Sequence, residues 1–173
     1  MKLRVAAAAG LLLAAALSGC ATRPPAAEAW TSGRLAVRVE ASAERAASAF
    51  SADFDLRGDG ERGELRLTSP IGTRLAQARW SGAEAVLDTG SGEQRYDDLE
   101  SLSRQALGEA LPLRALPAWL AGHPWDRAPQ RARDGGFEQL GWTVSLAGFG
   151  AGRIEAVREA PPRVVVRVQL ERP

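Results

Sequence analysis

The chain has little of what most catalytic chemistry needs. It holds one cysteine and one histidine in 173 residues, aromatics make up 6% of it, and lysine occurs only at position 2. A single cysteine excludes an internal disulfide. The lone His123, between Gly122 and Pro124, has no serine or cysteine nucleophile near it in sequence and no companion ligands for a metal. Asp53 and Asp55 are two apart, as on the outer face of a strand, and Asp97-Asp98 suit a helix start better than an acid–base pair. The glycine-rich RGDGERG and GFGAG lack the strand-to-helix setting of a phosphate loop. An enzyme is therefore not expected, and neither is a metal or diffusible cofactor. The formal net charge is +1, with arginines interleaved among aspartates and glutamates rather than gathered in a basic stripe. That pattern excludes a nucleic-acid protein.

What is present begins at the N-terminus. Lys2 and Arg4 precede an apolar run from Val5 to Leu17. The run falls short of the ~20 apolar residues a membrane span requires and has the layout of a secretory signal. It closes on Leu17-Ser18-Gly19-Cys20, which resembles the lipobox of bacterial lipoproteins. The resemblance implies cleavage before Cys20 and a covalent N-acyl diglyceride on that residue, with no other cofactor. Two or more acyl chains make membrane anchoring stable where one does not. Ala21, in place of the aspartate linked to inner-membrane retention, favours the outer membrane. The chain divides into a signal peptide over 1–19, an acylated cysteine and tether over 20–32, and one domain over 33–173.

From Gly33 the text alternates. Leu35, Val37 and Val39 are set against Arg34, Arg38 and Glu40, and Phe50, Ala52, Phe54 and Leu56 repeat the period of a half-buried strand. Short strands separated by Gly, Ser and Pro continue to Tyr96, which reads as an antiparallel meander. The middle of the chain changes period. Leu99, Leu102, Ala106, Leu107 and Ala110 share a helical face, Asp97-Asp98-Leu99-Glu100 opens the helix with an acidic first turn and an N-cap candidate, and Pro112 is expected to end it. A second short helix is expected to start close to Leu113, with Gly122 as its stop. Strand texture resumes at FEQL and GWTVSL and closes with Val164, Val166, Val168 and Leu170. Strands, a helical insert, then strands again predict a mainly β, α+β domain with helices packed on one sheet face.

One turn is odd. In LTSPIGTRL, Ser69-Pro70 and Gly72 are ordinary turn residues, yet the β-branched Ile71 stands between them at a tip that faces water.

From LTSPIG onward the order of features resembles the LolB family of outer-membrane lipoprotein receptors. The most specific stretch is G-x-x-LPL-x-x-L-x-x-WL-x-G-x-P from Gly108 to Pro124, supported by GRLAV at Gly33–Val37. The chain departs from the family's pattern at Asp55, where a tryptophan is common, and between Trp142 and Pro161, where Leu146 and Phe149 replace tyrosine-rich text. The resemblance implies a curved antiparallel sheet, an unclosed barrel, lidded by helices over an apolar cavity. It also implies a function: a monomer that accepts the acyl chains of lipoproteins from the periplasmic carrier LolA and inserts the cargo into outer-membrane lipids. On this reading Leu35, Val37, Phe54, Leu65, Leu67, Trp80 and Trp142 line the cavity from the sheet. Leu102, Leu116, Trp119 and Leu120 face them from the helices. Pro70, Ile71 and Gly72 form a loop that enters the bilayer. The alternative is a structural or assembly lipoprotein that binds a protein partner through its sheet.

Overall fold

The computed structural model describes residues 29–43 and 46–171. The predicted acylation site, Cys20, and the signal peptide lie outside the described residues. Among the described residues eleven strands form one sheet, every neighbouring pair antiparallel. They are β1 (Thr31–Val39), β2 (Ser48–Gly58), β3 (Arg62–Thr68), β4 (Arg74–Ser81), β5 (Glu84–Asp88), β6 (Glu93–Tyr96), β7 (Gln130–Arg133), β8 (Gly136–Gln139), β9 (Trp142–Ser145), β10 (Arg153–Arg158) and β11 (Val164–Leu170). Their spatial order is β6-β5-β4-β3-β2-β1-β11-β10-β9-β8-β7. First and last strands pair at the centre, and the edges β6 and β7 do not pair, so the sheet stays open.

That order places the helices. The edges are consecutive in the chain, and the segment joining them carries α1 (Leu99–Leu107) and α2 (Leu116–Leu120). It must cross the sheet from one edge to the other, and it does so over the apolar face. Alternation decides which face that is. Val37 and Val39 of β1, Ala52, Phe54 and Leu56 of β2, and Leu65 and Leu67 of β3 are buried in one core with Leu99, Leu102, Trp119 and Leu120 of the helices. Between them, outward residues make a charged lattice, with Arg34 on Asp53 at 2.9 Å and Arg167 on Glu155 at 2.6 Å. Exposed pairs of this kind add little stability, typically below ~1 kcal/mol.

Both helices differ from expectation at their ends. Of the two aspartates expected at the helix start, Asp98 caps α1, its carboxylate accepting from Ser101 N at 2.6 Å, and this bond first of all holds the Asp98 carboxyl below its ordinary value. But α1 ends at Gly108, in the left-handed conformation, well before Pro112. Glycine takes that C-terminal conformation at no Cβ cost, so the stop precedes the proline. The second helix starts at Leu116, not near Leu113, with Pro117 inside its first turn, where a missing N–H leaves no bond unmade. Residues 108–115 form a loop, tied to α1 through Ser103, whose Oγ accepts from Leu111 N at 3.0 Å and donates to Glu100 O at 3.0 Å.

Two strand boundaries also moved. β1 takes in Thr31 and Ser32, which the sequence reading left in the tether. β7 was not expected at all; its residues are exposed throughout, so no apolar alternation advertises it. One glycine is required by packing. Gly63 lies opposite Trp80, and a Cβ there would stand 2.4 Å from Trp80 Cζ2.

Candidate functional site

The space between the sheet and the helical crossing is the most distinctive feature of the molecule. Leu35, Val37, Phe54, Leu65, Leu67 and Trp142 border it from the sheet, and Leu116, Trp119 and Leu120 from α2. Trp80 and Leu102 are elsewhere. Trp80 is buried against Gly63 with its Nε1 donating to Asp59 O at 3.2 Å. Leu102 borders a second, smaller gap under α1, of about 20 Å³, which it shares with Leu65 and Leu67. Sequence reasoning missed two groups that border the main space. One is Leu107, the last residue of α1, with Leu111, Pro112 and Leu113 of the loop that follows it; the other is Ile154, Ala156, Val166 and Val168 of β10 and β11. The alternation of β11 was the available signal for Val166 and Val168.

Among the described residues no charged side chain borders the space, and its cavity volume is only about 50 Å³. A single water needs ~10–15 Å³ of such volume, so as it stands the space has room for a few waters and accommodates no long acyl chain. The helical crossing closes it, and polar contacts at its margins hold the crossing down. Arg114 donates to Gly60 O at 2.9 Å and Gly82 O at 2.7 Å. Glu109 pairs with Arg158 at 2.7 Å, their side chains 12% and 18% exposed. The buried Gln139 amide is fully engaged: its oxygen accepts from Trp119 Nε1 (2.8 Å) and Trp125 N (2.9 Å), and its nitrogen donates to Trp125 O (2.7 Å) and Ala128 O (2.9 Å). Arg114 and the Glu109–Arg158 pair thus fasten the lid at its rim, and the buried Trp119–Gln139 bond fastens it within an otherwise apolar interface.

The β3–β4 tip stands apart. Gly72 N donates to Ser69 O at 2.8 Å, with Pro70 and Ile71 between them. Gly72 has φ +83°, which lets the chain re-enter β4. Thr73 N is held by Ser69 Oγ at 3.1 Å. Ile71 is 89% exposed at the apex, on a turn locked from both sides.

The residues first considered for chemistry do not gather. His123 is exposed, its Nδ1 3.0 Å from Pro124 O. Asp53 and Asp55 face outward, Asp55 accepting from Ser32 Oγ at 2.5 Å; the family's tryptophan position is thus on the outer face here. Among the described residues no group of three or more His, Cys, Asp or Glu could hold a metal ion, and no helix is long and apolar enough to cross a membrane.

Comparison with known proteins fits this arrangement. The family model described as "Outer membrane lipoprotein LolB" matches residues 28–171. The chain belongs to the LolB family. Curated relatives named "Outer-membrane lipoprotein LolB" include one from Bordetella petrii, 32% identical over 93% of this chain and 89% of the relative. Another, from Chromobacterium violaceum, is 37% identical over 78% of each. The crystal structure of the LolA superfamily protein NE2245 from Nitrosomonas europaea overlays with a TM-score of 0.41 at 11% identity, covering 85% of this chain and 86% of that one. LolB membership is carried by the family model and the curated relatives, and it gives the chain a place in lipoprotein localisation at the outer membrane.

Proposed function

We propose that this LolB-family protein is anchored in the periplasmic leaflet of the outer membrane by an acylated Cys20. There it accepts lipoproteins from the carrier LolA and inserts them into the bilayer. The single observation that carries the reading is the uncharged, apolar-walled space between the sheet and the helical lid. Acyl chains need that lining and nothing catalytic. Each buried CH₂ contributes ~0.8 kcal/mol, so a modest rise in chain burial from carrier to receptor to bilayer drives the transfer without nucleotide or metal.

The small free volume makes lid displacement part of loading. Chains enter as the crossing lifts from the sheet, Trp119 and Leu120 of the lid exchanging contacts with Leu65 and Trp142 of the sheet for contacts with the ligand. Arg114 and the Glu109–Arg158 pair open at the rim, where water can take over their hydrogen bonds. At delivery Ile71, on its rigid tip, meets the bilayer. Burying it there is worth ~1.5–3 kcal/mol, too little to anchor a protein but enough to orient a tethered one.

The test is a two-component transfer. The domain is made without Cys20 and its lipids and mixed with LolA loaded with a lipoprotein. Stable movement of cargo to this chain is expected. The nearly filled interior is also what a partner-binding assembly lipoprotein would have, and failure of both transfer and uptake of a fluorescent long-chain fatty acid would select that second reading.

A further inference from the structure

One charged side chain shares the face of the apolar wall. In β10, Ile154 and Ala156 border the space, and strand alternation carries Arg158, two residues on, to the same side of the sheet. Val164, opposite Arg158 on β11, is fully buried. The guanidinium lies 5.6 Å from the ring centroid of Trp142, which also borders the space. Arg158 thus stands just beyond the apolar lining, where the wall formed by β10 ends.

Its main partner belongs to the lid. Arg158 Nη2 donates to Glu109 Oε2 at 2.7 Å and to Pro162 O at 3.3 Å. Glu109 follows Gly108, the cap of α1, in the crossing, whereas Arg158 and Pro162 belong to β10 and the turn after it. Both side chains of the pair are largely withdrawn from water. Such a pair gains little over apolar side chains of the same volume, because desolvation offsets the attraction. What it does offer appears on opening. The carboxylate leaves with the lid, and the cation stays at the end of the apolar wall with one long bond to Pro162 O. A guanidinium carries five N–H donors, and beside an apolar surface they require new acceptors.

Cargo brings them. The cysteine of an acylated lipoprotein carries a diacylglyceryl group, whose two ester carbonyls sit directly above the methylenes and accept hydrogen bonds without carrying charge. We infer that Arg158 seats these ester oxygens as Glu109 leaves with the lid. This rests on the functional reading above and gives the site a direction. Acyl chains lie along β10 toward Ile154, and the polypeptide departs past Arg158. A neutral acceptor is held less tightly than a carboxylate, which suits a ligand that must be released to the bilayer. A phospholipid offers the same esters beside a phosphate, and the negative charge of Glu109 near the mouth opposes that head.

The experiment uses the chain from residue 20 with Cys20→Ser, which keeps every described residue and brings no acyl chain of its own. Two synthetic lipopeptides compete for a fluorescent apolar probe: a triacylated cysteine peptide, and its analogue with ethers in place of the two glyceryl esters. The ester form is expected to bind the parent roughly tenfold more tightly, as for a hydrogen bond to a charged group. Arg158→Gln should remove that preference and leave the ether form's affinity unchanged, while Arg158→Lys keeps part of it. Glu109→Gln should retain the preference, because the carboxylate is only the occupant of the closed state. No preference in the parent, a preference that survives Arg158→Gln, or an equal loss for both lipopeptides overturns the proposal. A measurement on the parent needs no variant. The infrared stretch of carbon-13-labelled esters should fall on binding, and a stretch at its value in dry alkane overturns the proposal too. A phosphatidylcholine of the same chains separates the two sources of such esters. Weaker displacement by it, strengthened in Glu109→Gln, supports the acylated cysteine, and equal or stronger displacement from the parent overturns that assignment. If neither lipopeptide displaces the probe from the parent, the acyl-binding reading itself fails, and the role of Arg158 with it.

Discussion

The two isoleucines of this chain occupy opposite surroundings. Ile154 is on β10 opposite Val168, 4% exposed, on the wall of the apolar space. Ile71 is 89% exposed on the β3–β4 tip, where even a Cβ added to the neighbouring Gly72 would meet nothing within 4 Å. The same contrast recurs between Trp119, 2% exposed and edge-on to Phe137 at 6.1 Å, and Trp30, 36% exposed over two arginines. One member of each pair holds the fold together. The other contributes little to it and is free to serve position and contact. Stability and delivery are thus placed in different parts of the molecule, and substitutions should separate them.

The largest stability effect belongs to the interior. Trp119→Ala empties the centre of the lid interface and leaves Gln139 without one of its donors, so a loss of ~3–5 kcal/mol is expected in urea denaturation. A loss below 1 kcal/mol would mean that the lid is not integral to the fold.

The outer face has one place that behaves like the interior. Burial pushes the Glu64 carboxyl up, but the bonds from Arg57 and Arg66 outweigh it and hold the group below its ordinary value. A carboxyl with a depressed folded-state pKa contributes stability above its unfolded pKa and loses it as pH falls through the folded value. Glu64→Gln should therefore cost ~1–2 kcal/mol at neutral pH, discounted because both arginines are half exposed. Its stability should also fall less steeply than the parent's below the ordinary carboxylate range. Parallel acid limbs for the two proteins would remove Glu64 from this role.

Ile154→Val is expected to cost ~0.5–1.5 kcal/mol, read from the same denaturation curves. The smallest stability effect is at the tip. Ile71→Asp should stay within ~0.5 kcal/mol of the parent and accept cargo from the carrier normally, while insertion of that cargo into vesicles falls several-fold. Normal insertion by this variant would make Ile71 an incidental surface residue.

Much of this was legible one residue at a time. Alternation at Leu35, Val37, Phe54, Leu65 and Leu67 identified the inner face, because a strand sends successive side chains to opposite sides. Asp97-Asp98 announced the start of α1 through capping chemistry, and the structure places the cap at Asp98. The ends of the helices were harder. Pro112 looked like the stop, but a left-handed glycine terminates a helix earlier, and the two signals compete without a local arbiter. β7 was invisible because an exposed edge strand needs no apolar period, and its Arg131 and Arg133 suit an edge that must not pair with another chain. Trp80 and Leu102 were expected on the cavity wall; both are buried, but Leu102 borders the smaller gap under α1 and Trp80 packs on Gly63, which depends on how α1 and β3 lie against β4.

By itself the sequence determined the local periods, the caps, the exposed isoleucine at a turn and the family motif from Gly108 to Pro124. All of these depend on neighbours within a few residues, where backbone geometry and side-chain chemistry leave few choices. Only the tertiary structure decided that β1 and β11 pair, that the helical segment spans the open sheet from β6 to β7, and that Trp30 settles on Arg57 and Arg66. Those contacts join residues far apart in the chain. Their free energy comes from apolar area and charge brought together by the complete fold, and no short window of sequence contains both partners.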